Sequence, residues 1–176
     1  MSRILLGVTG SIAAYKAAEL VRLFVKAGDD VTVVMTPAAT EFVKPLIFQT
    51  LSRNQVFIDQ FAAPAEWKPE HISLADSADA VVVAPATANT IAKMRCGIAD
   101  NLLTSVLLAT RAPTFVAPAM NDGMWANTAT QENIAVLKDR GVTIVDPGDG
   151  ELACGTCGKG RMAGPDAIFS AVKNRT

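Results

Sequence analysis

Pro113-Thr114-Phe115-Val116-Ala117-Pro118-Ala119-Met120-Asn121-Asp122-Gly123-Met124-Trp125 joins an apolar run to a loop of mixed chemistry. Pro113 to Ala117 reads as a buried strand. Open α/β sheets bind ligands at the carboxyl ends of their parallel strands, so the loop that follows is a candidate site. It carries an amide, two thioethers and an indole. The amide can bond a carboxylate or carbonyl through its NH₂, and the sulfurs and indole can pack against a flat ring. Met120, Met124 and Trp125 would serve equally well as core filler.

Outward from this stretch, strands and helices alternate. Ile4 to Val8, Asp30 to Met35, Asp79 to Ala84 and Val142 to Val145 read as strands, with a minor one at Gln55 to Ile58. Ala80-Val81-Val82-Val83-Ala84 is apolar throughout, as expected of a strand buried on both faces. Ile12 to Lys26 has Ala, Leu, Val and Phe spaced at three and four, which predicts an amphipathic helix, closed by Gly28. Further helices are expected from Thr36-Pro37 through Phe42, at Thr87 to Met94, at Ile98 to Thr110 and at Thr128 to Arg140, with a short helix or turn at Pro45 to Leu51. A single turn is expected at His71 to Ala75. Gly148 to Gly164 holds six glycines and reads as a mobile loop before a closing helix, Pro165 to Asn174. The alternation predicts an α/β fold: a Rossmann-like (flavodoxin-like) doubly wound parallel sheet with right-handed crossovers, in one domain over 1–176. It does not fix the strand order.

Composition narrows the function. Of 176 residues, half are hydrophobic and 19% are charged, and the net charge is −1. No basic or acidic run points to nucleic acid or an anionic membrane as partner. The apolar stretches are strand-sized, far below a membrane span. The start, Met1-Ser2-Arg3-Ile4, enters a strand directly, which predicts no signal peptide. Three cysteines, an odd number, argue against a disulfide framework and for a reducing cytoplasm.

Four polar loops fall at expected strand ends, after Val8, Met35, Ala84 and Ala117. Gly7-Val8-Thr9-Gly10-Ser11-Ile12 leads into a helix, whose N-terminal N–H groups suit a phosphate. Ser11 can cap that helix and also donate to the anion. The dinucleotide fingerprint is absent, because Ile12 follows Ser11 where more glycine is required. A mononucleotide with one terminal phosphate fits better than a diphosphate bridge. Thr36 offers a second hydroxyl to the same region, or caps the helix before Pro37. In Ala84-Pro85-Ala86-Thr87-Ala88-Asn89-Thr90, small residues let a planar ring approach the backbone, and Thr87, Asn89 and Thr90 supply edge donors and acceptors. The competing reading is a helix start capped by Thr87.

Two of these segments carry a family resemblance. Pro-x-Met-Asn-x-x-Met-Trp from Pro118 resembles the signature of the flavin-containing cysteine decarboxylases. Pro85-Ala86-Thr87-Ala88-Asn89-Thr90 with Gly97-Ile98-Ala99-Asp100-Asn101-Leu102-Leu103 looks like that family's flavin-binding stretch. The match spans about Gly7 to Met162. It implies FMN as cofactor, with Gly10, Ser11, Thr36, Thr87, Ala88, Asn89, Thr90, Ala119 and Met120 around it. It also implies a homotrimer, or a homododecamer built from trimers, with the cofactor near a subunit interface.

The resemblance extends to the reactive residues. His71, the only histidine, fits the place of the family's active-site base, a histidine shortly before the third strong strand; a pKa near about 6.5 suits that role. Cys154 and Cys157 form a C-x-x-C pair. Zinc would need two further ligands, and no second pair is present; a redox dithiol normally opens a helix. Ala153-Cys154-Gly155, then Gly158-Lys159-Gly160-Arg161-Met162, resembles the active-site flap of bacterial phosphopantothenoylcysteine decarboxylases, here at 147–164, with Cys154 on the proton donor. Cys157 stands where no cysteine is expected, and Cys96 reads as a packed small residue. Lys159 and Arg161 either hold a substrate anion or are solvated flap charges.

The implied reaction converts 4′-phospho-N-pantothenoylcysteine to 4′-phosphopantetheine in coenzyme A biosynthesis. The thiol is oxidised to a thioaldehyde, CO₂ departs, and hydride with a proton from Cys154 completes the product; Asn121 binds the carboxylate. The rival reading is a peptidyl-cysteine decarboxylase of lantibiotic maturation, using the same chemistry on a peptide. Lys159 and Arg161 favour the small phosphorylated substrate. The Asn121-to-Trp125 stretch argues against a flavin prenyltransferase. A non-catalytic flavoprotein regulator would carry an acidic tail. In many bacteria the decarboxylase is fused to a ligase, and the chain is either a stand-alone enzyme or such a domain.

Overall fold

At the centre of the computed structural model lies β4 (Ala80–Ala86), buried at every position. The structure describes residues 1–62, 67–151, 155 and 157–175. Around β4 run β1 (Arg3–Val8), β2 (Asp30–Met35), β3 (Val56–Phe57), β5 (Thr114–Pro118) and β6 (Thr143–Ile144). The six strands are parallel, in the order β3-β2-β1-β4-β5-β6. The chain winds outward from β1 to β3, returns to β4 beside β1, and winds out the other way. The order therefore reverses between β1 and β4, and a crevice opens above their carboxyl ends.

Side chains alternate across the sheet, as a strand period of two requires. Ile4, Leu6, Val8, Val33, Met35, Val82 and Ala84 face α1 (Ala14–Lys26), α2 (Pro45–Ser52) and α8 (Pro165–Lys173), which contribute Leu20, Phe24, Phe48 and Ile168. Leu5, Val34, Val81, Val83 and Val116 face the other layer. That layer is α3 (Glu70–Ser77), α4 (Ala88–Cys96), α5 (Leu102–Ala109) and α7 (Thr128–Asp139). Removing a fully buried aromatic such as Phe24 would cost about 3–5 kcal/mol. Gly7 points at α5, where a Cβ would come within 2.6 Å of Leu103 Cδ1, so the helix sits against bare backbone.

The expected α/β class, parallel sheet and single domain are what the structure has. Several elements differ in extent. α1 begins at Ala14, because Thr9 to Ala13 form a turn in which Ser11 Oγ accepts the Ala13 N–H at 3.3 Å. The helix expected after Thr36 is a 3-10 turn, Pro37–Glu41. α3 runs eight residues, not one turn. α5 starts at Leu102, since Asn101 and Thr104 form a capping box there. A short helix, α6 (Asp122–Ala126), lies inside the loop after β5. The glycine-rich segment expected as a loop contains an antiparallel pair, β7 (Gly148–Glu151) with β8 (Cys157–Arg161). Cys96, expected to be packed, is exposed at the end of α4. Among the described residues no helix is long and apolar enough to cross a membrane.

Candidate functional site

A cleft of about 710 Å³ opens over the carboxyl ends of β1, β4 and β5. Its first wall is the turn after β1, where Gly10, Ser11, Ile12 and Ala13 line it, followed by Tyr15 and Lys16 on the first turns of α1. A Cβ at Gly10 would sit 2.7 Å from Ala38 Cβ, so only glycine lets this turn lie against the 3-10 turn beyond β2. Thr9 is buried just beneath. Its hydroxyl donates to the Pro85 carbonyl at 2.7 Å and accepts the Thr87 N–H at 3.0 Å. This clasp fixes the spacing between the β1 and β4 loops. The sequence reading missed it, because the partner lies 76 residues away.

Thr36, at the end of β2, is buried, and its hydroxyl has no partner among the described residues. An unpaired buried hydroxyl costs about 1–3 kcal/mol. Thr36 does not itself line the cleft, whereas Phe42 beyond it does.

The β4 loop contributes Thr87 and Ala88. Thr87 caps α4 by accepting the Thr90 N–H at 3.3 Å, and the two hydroxyls lie 3.2 Å apart. Thr90 is thus buried in the cap and Asn89 is exposed; neither lines the cleft. Both stand on the first turn of α4, directly after Thr87 and Ala88.

The β5 loop contributes Ala119, Met120, Asn121 and Met124. Ala119 N–H donates to Ala86 O at 3.0 Å, which draws this loop against the end of β4. Asn121 caps α6, its Oδ1 accepting the Gly123 N–H at 2.8 Å. That bond fixes the orientation of the carboxamide. Trp125 is core, buried among α7 and the sheet, while Met120 and Met124 face the cleft.

The last wall is the hairpin. The β7–β8 register slips by one residue at Gly160, a bulge. The bulge turns the Gly160 carbonyl to accept the Met120 N–H at 3.0 Å. Gly160 has φ +153, and a Cβ there would collide with the Met120 carbonyl oxygen. At Gly158 a Cβ would lie 2.7 Å from Asp122 Cβ. Two glycines thus let β8 lie flush on the Asn121 loop. Arg161 and Met162 line the cleft, but Lys159 does not.

Cys154 lies outside the described residues. His71 is half-buried in the first turn of α3 and is not part of the cleft wall. α3 is a crossover helix and runs back against the strands, so its first turn stands at the carboxyl edge of the sheet, on the α5 side.

The flavoprotein family model matches residues 1–176. The chain is 48% identical over 171 residues to the coenzyme A biosynthesis bifunctional protein CoaBC of Haemophilus influenzae, covering 97% of this chain and 43% of that protein. It therefore spans less than half the length of that bifunctional relative. It is 45% identical to the probable phosphopantothenoylcysteine decarboxylase of Streptococcus mutans, covering 98% of each. Its structure resembles that of a mutant PPC decarboxylase complexed with pantothenoylaminoethenethiol, with TM-score 0.89 and 35% identity over 98% of this chain and 97% of that one. The peptidyl-cysteine decarboxylase EpiD aligns with TM-score 0.83 and 27% identity, over 98% of each chain. A match over the full length, on a fold whose cleft sits at the reversal of strand order, makes this chain a member of the flavoprotein family.

Proposed function

We propose that the chain is an FMN-dependent decarboxylase that converts 4′-phospho-N-pantothenoylcysteine to 4′-phosphopantetheine in coenzyme A biosynthesis. The observation that carries this reading is the cleft itself. It unites a phosphate-sized turn at the start of α1, a small-residue seat at Thr87, Ala88 and Ala119, and an oriented amide at Asn121.

These residues fit FMN. Gly10 and Ser11 offer N–H groups and a hydroxyl to its single phosphate, and the unpaired Thr36 hydroxyl stands at the neighbouring strand end. Ala88, Ala119 and Met120 offer a flat apolar seat for the ring, with Thr87 at its edge. Asn89 and Thr90, on the first turn of α4, would add donors and acceptors at the same edge. When bound, the flavin supplies a reversible two-electron acceptor. The protein does the positioning. Asn121 holds the substrate carboxylate, His71 takes the thiol proton, and Cys154 returns a proton to the carbon that loses CO₂. Arg161 and Lys159, on the flap at 147–164, bear on the substrate's charged groups.

The active unit in this reading is a homo-oligomer, a trimer or a dodecamer of trimers, working in the cytoplasm. Ile12, Tyr15 and Phe42 support this: they leave half or more of their surface exposed on the cleft wall (58%, 61% and 50%). In this reading a neighbouring copy supplies His71, which does not line the cleft of its own chain.

A peptide substrate is the second reading, favoured by the likeness to EpiD. Offering phosphopantothenoylcysteine and a peptide ending in cysteine to the purified protein separates the two. CO₂ from the first alone supports the proposal; CO₂ from the peptide alone overturns it.

A further inference from the structure

Among the described residues two side chains that carry charge line the cleft, Lys16 and Arg161, and no carboxylate does. They come from opposite walls, Lys16 from the first turn of α1 and Arg161 from the end of β8. Among the described residues neither has an ion-pair partner, whereas Arg3, Lys68, Lys93, Lys138 and Lys173 all do. Lys16 Nζ lies over the ring of the adjacent Tyr15, 5.9 Å from its centroid. Burial in the cleft wall pushes the Lys16 pKa down, and the Arg161 charge pushes it further the same way. Two cations held in one apolar cleft without a counter-charge repel each other. A dianion between them removes the repulsion and gains charge-assisted hydrogen bonds from both.

We propose that Lys16 and Arg161 form a binding site for a phosphate monoester, the terminal phosphate of the substrate. This rests on the reading of the substrate given above. In that reading the cofactor's phosphate has separate donors in the turn at Gly10 and Ser11, whereas Lys16 lies further along α1, within reach of the Arg161 charge on the hairpin. Arg161 keeps the role expected of it, but its partner is Lys16. Lys159 does not line the cleft. Because the pair spans α1 and β8, a bound phosphate also ties the hairpin to the cleft wall.

The test is calorimetric titration of the FMN-loaded protein with 4′-phosphopantetheine and with pantetheine, with bound FMN measured in every preparation. The unsubstituted protein should bind the phosphorylated compound roughly 10- to 100-fold more tightly, the range for hydrogen bonds to charged groups. Lys16→Gln and Arg161→Gln should each cut that ratio by about tenfold, leaving pantetheine affinity and FMN content unchanged. Lys16→Arg should keep most of the preference, and added salt should shrink it. Equal losses for both compounds, or an unchanged ratio, would overturn the site. Loss of FMN with the ratio intact would assign Lys16 to the cofactor's phosphate and overturn it equally. CO₂ release from phosphopantothenoylcysteine, run alongside, tests the reaction separately: a Lys16-dependent preference without CO₂ keeps the site and removes the reaction.

Discussion

The Thr9 hydroxyl donates to the Pro85 carbonyl at 2.7 Å while its oxygen accepts the Thr87 N–H at 3.0 Å, so one buried side chain joins the ends of β1 and β4. The cleft opens between the loops this side chain holds. Thr9→Val keeps the shape but strips the Thr87 N–H of its acceptor, at a cost of about 1–3 kcal/mol. A lower melting temperature and weaker FMN retention are expected, both restored by Thr9→Ser. Calorimetry and flavin absorbance check this; full FMN retention in Thr9→Val would show that the clasp does not shape the cleft.

The glycine bulge gives a second expectation. Gly160→Ala would drive a methyl into the Met120 carbonyl and lift β8 off the Asn121 loop. Gly148→Ala, where nothing lies within 4 Å, is the matched control. Hydrogen exchange across 148–161 should accelerate in the first and stay unchanged in the second. Turnover should fall only in the first.

Asn121→Asp should leave the fold intact, because aspartate also caps a helix start. It sets a carboxylate against the substrate's own. The KM should rise roughly 10- to 100-fold, in line with a charged hydrogen bond replaced by repulsion. Normal turnover would mean that the carboxylate sits elsewhere.

Shared sites predict complementation. At substrate well below KM, His71→Asn and Asn121→Asp variants should each release little CO₂. Mixed by co-refolding, they should regain activity, since some sites then pair an intact His71 from one chain with an intact Asn121 from another. Mixtures as inactive as their parents would indicate that each chain supplies its own histidine.

Much of this was legible because burial on both faces leaves the central strands largely apolar. Asp30 to Met35 could be bounded from its sequence alone, and β4 nearly so. Gly10, Ser11, Thr87, Ala88, Ala119, Met120 and Asn121 could be assembled because they follow strands, and parallel strands end together. What escaped depends on distant partners. Lys16 reads as one more surface charge on an amphipathic helix until Arg161 is brought opposite it. The hairpin is held by backbone pairing and by glycines that fit under Met120 and Asp122, with no apolar alternation to announce it.

One exposed pair has a defined pH signature. Asp79 accepts the Arg3 N–H at 2.8 Å and pairs with its guanidinium at 2.9 Å, which lowers its pKa to about 2. A depressed carboxylate stabilises the fold above its unfolded pKa, and this contribution fades as pH falls through the folded value. Carboxyl chemical shifts should place the Asp79 midpoint near 2. Arg3→Ala should raise it, while retaining the part owed to the backbone N–H.

The most direct measurement is anaerobic turnover of phosphopantothenoylcysteine by the purified yellow protein, following CO₂, phosphopantetheine and the flavin spectrum together. The account predicts repeated turnovers with one CO₂ per phosphopantetheine and a flavin that ends oxidised, with no added oxidant. A colourless protein that cannot be loaded with FMN, or CO₂ release that needs an external electron acceptor, would contradict it.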